Sequence, residues 1–228
     1  MADMTMKILE LEEIVEENDF VKSFYFADKD VARAEPAQFV MLWVPHTSSG
    51  SIDFQIPDQI PMSVSSVEGD RFSLTVRRYG ETTHELFKYE KGDSVGVTGP
   101  LGRGFSLSGD QILCVAGGIG VAPLLLLVQK LQGKEIHFIL GAKTENELLF
   151  HERLRGLSTS LTITTDDGSC GEKGVACDPV EMLCNKYNID QIYCCGPEIM
   201  MRKVFEIALE RKVPAQFSLE RYMYCGLG

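Results

Sequence analysis

Hydrophobic positions follow two different rhythms along the chain, and the rhythm changes near residue 106. Before that point, short runs alternate apolar and polar residues between glycine, proline and acidic turns, which is the pattern of strands in a small antiparallel barrel. The predicted strands are 7–11, 20–27, 38–44, 62–66, 71–78 and 94–98, and the polar stretch 45–57 is predicted to be a long loop. We therefore expect an antiparallel six-stranded barrel in the first half of the chain.

From residue 111 onward, strand-like apolar runs alternate with helical segments. The predicted strands are 112–116, 136–140, 161–165, 192–195 and 215–219, and the predicted helices are 121–131, 145–154, 179–186 and 199–211. Thr144 and Asp178 are predicted to cap two of these helices, and Pro179 suits a first helical turn. Strands rich in leucine and β-branched residues with helical connections predict a doubly wound parallel sheet that is covered on both faces.

Composition narrows the classes of function. The chain has 22 Lys and Arg against 33 Asp and Glu, a formal charge of −11, so a nucleic-acid partner is not expected. The first residues do not resemble a secretion leader and no apolar run approaches a membrane span, so we expect a soluble, cytoplasmic protein with no membrane partner. Seven cysteines without C-x-x-C spacing and four scattered histidines predict reduced thiols and no zinc site.

The most informative motif is the glycine turn after the first strand of the second half. Gly117, Gly118 and Gly120 stand between the apolar run 112–116 and a leucine-rich helix, an arrangement in which backbone N–H groups approach a dinucleotide pyrophosphate at a helix N-terminus. Pro123 departs from the usual fingerprint, in which a third glycine packs the helix on the strand. For Gly120, a role in packing alone is the alternative.

Three strings follow one another in a fixed order: GPLGRGF at 99–105, GGIGVAP at 117–123 and CCGPEIMM at 194–201. After a predicted barrel, this order resembles the ferredoxin-NADP reductase superfamily. TDDGSCGEKGV at 165–175 and SLERYMYCGLG at 218–228 resemble more narrowly the electron-transfer subunits of the dihydroorotate dehydrogenase B type.

This resemblance implies an enzyme that oxidises NADH through FAD. It implies that electrons then pass through a 2Fe-2S cluster to a partner, the FMN-containing dihydroorotate dehydrogenase catalytic subunit of pyrimidine biosynthesis. The domains it implies are an FAD-binding β-barrel at 1–106, an NAD-binding α/β domain at 107–219 and the start of a cluster domain at 220–228.

In the barrel, the resemblance assigns one strand to flavin binding. Its residues are Pro61, Met62, Ser63 and Val64. The hydroxyl of Ser63 is expected to face the flavin N5, where it can donate or accept a hydrogen bond; an ordinary strand with a half-buried serine is the alternative. Ile60 occupies the place where many family members carry an arginine that pairs with the FAD phosphates, and Arg77 or Arg78 is a candidate replacement.

A second flavin element is the turn before a short helical stretch at 84–88. Gly80, Thr82 and Thr83 match the family's pyrophosphate turn, where threonine hydroxyls and free N–H groups meet phosphate. A threonine helix cap without a ligand is the alternative. Gly99, in the string at 99–102, either closes the barrel as a turn or also adjoins the flavin, as the family implies.

In the second domain, the resemblance assigns Gly117, Gly118 and Gly120 to the NAD pyrophosphate. Cys195, with Gly196 and Pro197, is expected beside the reacting nicotinamide, where a small polarizable thiol positions the ring without blocking hydride transfer. Its neighbour Cys194 is expected in the core, because successive strand residues face opposite ways.

Asp166 and Asp167 follow the third strand of this domain, where the adenosine ribose is expected. Relatives that use NADPH carry basic or hydroxyl residues there. A carboxylate about 4 Å from a 2′-phosphate would repel it by roughly 1 to 4 kcal/mol, so the pair predicts a preference for NADH. A solvated acidic turn is the alternative interpretation.

The tail carries one candidate metal ligand, Cys225. With 226–228 it fits the first four positions of the C-x4-C-x2-C start of a plant-type cluster motif, whose second cysteine would be residue 230. We therefore expect a chain cut within its cluster motif, which holds no cluster here although a full-length form would.

Other functions remain open at this point. Within the superfamily, the alternatives are a diaphorase subunit of a hydrogenase and a subunit of a ferredoxin-linked NAD(P) transhydrogenase. A two-domain reductase that acts alone is disfavoured by Cys225 and the glycines after it. A non-catalytic nucleotide-binding module that has lost flavin is a further alternative, supported by Ile60.

Overall fold

The chain forms two compact units in a computed structural model, which describes residues 5–45 and 59–219. The first unit extends to Gly104 and the second begins at Phe105. Most of the predicted loop at 45–57 lies outside the described residues. Among the helices of the described residues, none is both long and apolar enough to cross a lipid bilayer.

The first unit is a closed antiparallel barrel with the strand order β1-β2-β5-β4-β3-β6, which confirms the predicted six-stranded barrel. Its strands are β1 (Lys7–Asn18), β2 (Val21–Ala27), β3 (Phe39–Trp43), β4 (Ile60–Glu68), β5 (Arg71–Arg77) and β6 (Ser94–Leu101). A 3₁₀ turn (Val31–Arg33) follows β2, and helix α1 (Glu81–Leu86) follows β5. β1 is longer than predicted because its first residues pair with β6 and its polar second half pairs with β2.

Alternating aromatic and aliphatic residues of β2 and β5 form one fully buried face of the barrel wall. Phe24 lies opposite Leu74 and Phe26 opposite Phe72, and the Phe26 and Phe72 rings stack with centroids 5.5 Å apart. The opposite face of the same strands carries buried hydroxyls instead of apolar groups. The rule that buried strand positions are hydrophobic therefore holds for only one face here.

The second unit is a six-stranded sheet with the order β10-β9-β8-β7-β11-β12 and only parallel pairs, which confirms the predicted doubly wound sheet. Its strands are β7 (Gln111–Gly117), β8 (Glu135–Ala142), β9 (Ser160–Thr165), β10 (Glu172–Lys173), β11 (Gln191–Cys195) and β12 (Ala215–Ser218). Its helices are α2 (Val121–Lys130), α3 (His151–Leu157), α4 (Val180–Lys186) and α5 (Glu198–Arg211). From β7 the chain adds β8, β9 and β10 on one side of the sheet, and it then crosses to the other side of β7 to add β11 and β12. The strand order therefore reverses between β7 and β11.

The predicted helix at 145–154 is wrong. A 3₁₀ turn (Glu145–Glu147) is followed by extended backbone at Leu148, and α3 begins only after Phe150, whose φ is 59°. Leu148, Leu149 and Phe150 are all buried. Three consecutive apolar residues cannot share one face of a surface helix, so burying all three breaks the helix.

The predicted caps are also wrong in detail. Thr144 occupies the N-cap position of the 3₁₀ turn, but its side chain makes no capping hydrogen bond. Pro179 holds the N-cap position of α4, one residue later than predicted. The Asp178 carboxylate instead accepts a hydrogen bond from the backbone N–H of Val175, at 2.9 Å, and so stabilises the turn before α4.

Candidate functional site

Two turns meet at the carboxyl edge of the parallel sheet, where the strand order reverses. One follows β7 at Gly117 and the other follows β11 at Gly196, and a Cβ on Gly196 would lie 2.9 Å from the backbone nitrogen of Gly117. A Cβ on Gly120 would lie 2.5 Å from the carbonyl oxygen of Cys195. Glycine at these positions therefore lets backbone pack on backbone. Open parallel sheets bind ligands in this crevice.

Gly118 is the member of the first turn that no neighbouring group covers. It has a left-handed φ of 55°, and a Cβ there would meet no atom within 4 Å. Gly118–Gly120 form a 3₁₀ turn that leads directly into α2, so the helix N-terminus points toward the same edge. The three predicted glycines thus divide in two: Gly117 and Gly120 provide close packing, and Gly118 leaves open space at the helix start.

Cys195 is the last residue of β11 and is 2 % exposed. Its backbone supports Gly120, as described above, and Pro197 occupies the N-cap position of α5. Cys194 is fully buried in the core between the sheet and helices α4 and α5, as predicted. Burial raises the pKa of the Cys194 thiol far above its ordinary value, so it stays protonated.

Asp166 and Asp167 follow β9 on the same edge, and the structure gives them different environments. The Asp167 carboxylate accepts hydrogen bonds from the backbone N–H and the hydroxyl of Ser169, at 2.9 and 2.6 Å, which lower the pKa of Asp167. The Ser169 hydroxyl in turn accepts the N–H of Glu145 at 2.8 Å. Asp167 therefore ties the turns after β8 and β9 together, while the exposed Asp166 carboxylate stays on the surface.

In the barrel unit, Ser63 lies on β4 at a point where the sheet divides. β4 pairs with β5 only from Val64 onward, where Val64 lies opposite Leu74, and a bulge separates this pair from the next one at Ser66. Ser63 itself pairs with Phe39 of β3 and is half-buried. Pro61 is exposed and Met62 is half-buried, so this stretch of β4 presents a partly open edge.

Buried hydroxyls form hydrogen bonds at the bulge between β4 and β5 and next to it. The Ser65 hydroxyl accepts the backbone N–H of Thr75 at 2.9 Å, in place of a strand carbonyl. The hydroxyls of Ser66 and Ser73 bond each other at 2.6 Å, and those of Thr75 and Ser23 do so at 2.9 Å. Sequence reasoning missed Ser65, because a serine next to other serines gives no signal for a backbone contact on another strand.

The turn before α1 uses one of its two predicted threonines internally. The Thr83 hydroxyl accepts the N–H groups of Tyr79 and Gly80, at 2.8 and 3.0 Å, and donates to the carbonyl of Gly80 at 2.9 Å. Thr83 is buried at the third position of α1, whereas Gly80 holds the N-cap position, so the threonine N-cap of the alternative interpretation is not formed by Thr83. Thr82 is half-buried, and a Cβ on Gly80 would meet no atom within 4 Å.

Ile60 begins β4 opposite Leu42, and the two candidate replacements for its missing arginine differ. The Arg78 guanidinium lies 5.4 Å from the ring centroid of Phe87, which holds it on the α1 side. Arg77 is exposed at the end of β5, opposite Val21. Gly99 packs against β3, since a Cβ there would lie 3.0 Å from Val40.

These observations test whether the residues fit the implied cofactors. A crevice at the reversal point with an uncovered glycine fits a dinucleotide, and a divided strand pair with a half-buried serine fits the edge of a flavin ring. Among residues 5–45 and 59–219, no three His, Cys, Asp or Glu side chains come together to hold a metal ion. The predicted ligand Cys225 lies outside the described residues.

Comparison with known proteins agrees with this geometry. Residues 114–206 match the family model described as an oxidoreductase NAD-binding domain. The chain is 42% identical, over 97% of its length and 80% of the relative, to the probable dihydroorotate dehydrogenase B (NAD(+)), electron transfer subunit of Methanothermobacter thermautotrophicus. It is 44% identical, over the same shares, to the protein of that name from Methanocaldococcus jannaschii.

A solved structure of an NADH-dependent reduced ferredoxin-NADP oxidoreductase, studied for flavin-based electron bifurcation, matches with a TM-score of 0.83 and 31% identity over 97% of this chain and 79% of that chain. The barrel, the parallel sheet and the NAD-binding family model together define a ferredoxin reductase-like oxidoreductase. Within that class, the chain belongs to the family of dihydroorotate dehydrogenase B electron transfer subunits. The resemblance seen in the sequence is thereby confirmed.

Proposed function

We propose that this protein oxidises NADH through FAD and delivers electrons to the FMN-containing catalytic subunit of a dihydroorotate dehydrogenase in pyrimidine biosynthesis, in the cytoplasm. The observation that carries the proposal is the pair of glycine turns packed together where the sheet order reverses, in a chain that belongs to this family. Such a crevice is suited to a dinucleotide.

For NADH, each part of the sheet edge has a role. Gly118 and the start of α2 receive the pyrophosphate, while Gly117 and Gly120 keep the turn close to β11. Asp166 accepts hydrogen bonds from the adenosine ribose and disfavours a 2′-phosphate, and Asp167 holds the loop that carries it. Cys195, Gly196 and Pro197 border the nicotinamide, and Cys195 positions the ring rather than exchanging protons with it.

For FAD, we assign Pro61, Met62, Ser63 and Val64 to the flavin ring, with the Ser63 hydroxyl as the hydrogen-bonding group at N5. The turn at Gly80, with the Thr82 hydroxyl and the N–H groups at the start of α1, meets the pyrophosphate, and Thr83 shapes the turn from within. Arg77 supplies the positive charge that Ile60 lacks, and Gly99 borders the ring. FAD, when bound, supplies the chemistry of accepting a hydride and releasing electrons singly.

The 2Fe-2S cluster is the further cofactor in this proposal, and it rests on the family resemblance. Cys225 would provide one thiolate of a 2Fe-2S site, whose four ligands require three more cysteines. Electrons would leave through that cluster to the partner. The heteromeric complex and its FMN are therefore proposals that rest on the family.

An anaerobic visible spectrum of the FAD-reconstituted protein tests this function. NADH is expected to bleach the flavin band rapidly and NADPH slowly, because Asp166 disfavours the 2′-phosphate. A protein that binds no flavin, or whose flavin neither nucleotide reduces, would contradict the proposal and favour a non-catalytic binding module. Adding the purified catalytic subunit with orotate then tests the partner.

A second candidate is a subunit of a ferredoxin-linked NAD(P) transhydrogenase, which the 31% identity to an NADH-dependent reduced ferredoxin-NADP oxidoreductase favours. The relatives named for dihydroorotate dehydrogenase B are more similar, at 42% and 44%, so we rank this candidate second. Reduction of ferredoxin but not of the dihydroorotate dehydrogenase partner would reverse the order.

A further inference from the structure

One methionine side chain touches both turns of the proposed NADH site. Met200 lies in the first turn of α5 and is 6 % exposed. Its Sδ would be 2.8 Å from a Cβ on Gly117, and its Cε would be 2.7 Å from a Cβ on Gly196. The thioether therefore occupies the space that side chains on these two glycines would need.

The strands alone do not fix the distance between these turns. The last paired residues of β7 and β11 are Ala116 and Cys195, and each turn begins one residue later. Beyond that pair, the turns are related by the backbone contacts of Gly196 with Gly117 and of Gly120 with Cys195, by Pro197 beside Gly117, and by Met200, which is the side chain near both Gly117 and Gly196. Neither Gly117 nor Gly196 has a side chain to cover this backbone contact, and the Met200 thioether packs beside both residues instead.

We propose that Met200 is a positioning residue, which sets the spacing between the turn after β7 and the turn after β11. Resting on the proposed function, this makes Met200 the residue that matches the pyrophosphate and nicotinamide subsites to one NADH molecule. A long, unbranched thioether suits the task, because it adapts to an irregular gap between two backbones. Met200 does not need to touch the nucleotide.

The chain provides a matched control in the next residue. Met201 is 7 % exposed and lies in the same core cluster as Met200. Its atoms are not among those nearest to Gly117 or Gly196. Replacing either methionine by alanine removes the same buried volume from the same helix, so the two variants should lose similar stability.

The test compares Met200→Ala, Met201→Ala and Met200→Leu in the FAD-loaded protein. Calorimetry measures the Kd of NAD⁺ and of ADP-ribose, which has the pyrophosphate but no nicotinamide and so does not depend on the spacing of the two turns. Thermal unfolding measures the stability of each variant, and stopped-flow absorbance measures the rate of flavin reduction at saturating NADH.

We expect Met200→Ala to raise the Kd of NAD⁺ about tenfold and to slow flavin reduction, because a displaced ring reacts poorly. The Kd of Met200→Ala for ADP-ribose should change less than about threefold. Met201→Ala should bind NAD⁺ like the wild type, and the Kd of Met200→Leu for NAD⁺ should lie within about twofold of the wild-type value. Equal NAD⁺ affinity in the two alanine variants would overturn the positioning role of Met200 without affecting the proposed function. A wild-type protein that binds no NAD⁺ would overturn the proposed function as well.

Discussion

The α/β unit and the barrel unit build their candidate sites in opposite ways. In the α/β unit, side chains are omitted: Gly117, Gly120 and Gly196 let two backbone turns touch. In the barrel unit, side-chain hydroxyls replace backbone carbonyls as hydrogen-bond acceptors: the hydroxyls of Ser65 and Thr83 accept backbone N–H groups that no strand or helix carbonyl accepts.

The difference follows from the kind of sheet. Parallel strands end at one edge, so the turns after β7 and β11 meet there without any change to the strands. A closed barrel pairs every strand on both sides, so room for a ligand requires that pairing be interrupted. The bulge in β4 and the Ser65 hydroxyl provide that interruption. Four predictions test this comparison.

The largest effect is expected from Gly120→Ala. The added methyl group would lie 2.5 Å from the Cys195 carbonyl oxygen, so backbone must move, at a cost of about 3 kcal/mol in the free energy of unfolding. Urea denaturation of the α/β unit measures this loss. Gly156→Ala is the control, since a Cβ there meets no atom within 4 Å and alanine should stabilise α3 by about 0.5 kcal/mol. Equal midpoints for both variants would refute the backbone contact.

In the barrel, Ser65→Ala should cost about 2 kcal/mol, because it leaves the buried N–H of Thr75 without an acceptor. Ser66→Ala removes only a bond between two hydroxyls and should cost about 1 kcal/mol. FAD content after reconstitution should fall in the Ser65 variant and hold in the Ser66 variant. If both keep full flavin occupancy, the division of β4 from β5 does not serve flavin binding.

The preference for NADH over NADPH should depend on only one of the two aspartates of the α/β unit. Asp166→Asn and Asp167→Asn remove the same charge from neighbouring residues, but the amide oxygen introduced by Asp167→Asn can still accept the hydrogen bonds from Ser169. We expect the ratio of kcat/KM for NADPH to that for NADH to rise about tenfold, or ~1.4 kcal/mol, in the Asp166 variant alone. A larger change in the Asp167 variant would reverse the assigned roles.

The smallest effect is a pH dependence of the α/β unit. His137 is buried, stacks on Tyr187 with ring centroids 3.6 Å apart and bonds Ser160 through Nδ1 at 2.8 Å. Burial lowers the pKa of His137, with Glu135 opposing and Lys186 adding to the shift. A lowered pKa means that the folded state prefers neutral imidazole, so stability is complete above the ordinary pKa near 6.5 and falls as the pH drops below it.

The measurement is the thermal midpoint at about pH 7.5 and about pH 5.5, on either side of that pKa. The wild type should lose about 1 kcal/mol over this range from His137, and His137→Gln should lose less. His151→Gln, which changes a more exposed histidine, should behave like the wild type. An unchanged pH profile in the His137 variant would show that another group carries the acid sensitivity.

Much of the fold could be predicted because each unit has one dominant period. Alternation over 20–27 and 71–78 predicted strands within about one residue of their bounds, and the apolar runs at 112–116 and 192–195 predicted parallel strands. The helix at 145–154 could not be predicted correctly. The residues have a helical composition, but Leu148, Leu149 and Phe150 are all buried, and the helix begins only after them. The two-residue β10 was missed because its charged residues form a strand only by pairing with β9.

By itself, the sequence determined the two-unit order, the sheet types, the family resemblance and the positions of the glycine and aspartate motifs. Only the tertiary structure decided which role each residue of a motif has. It separated Gly118 from Gly117 and Gly120, Asp166 from Asp167, and Thr82 from Thr83, and it brought Met200 against two turns that lie about eighty residues apart in the chain. The physical reason is that periodicity predicts the strands and helices but not the contacts of single side chains. The contact of Gly120 with Cys195 joins residues distant in sequence, and the short-range hydrogen bonds of Asp167 and Thr83 depend on turn conformations that periodicity does not specify.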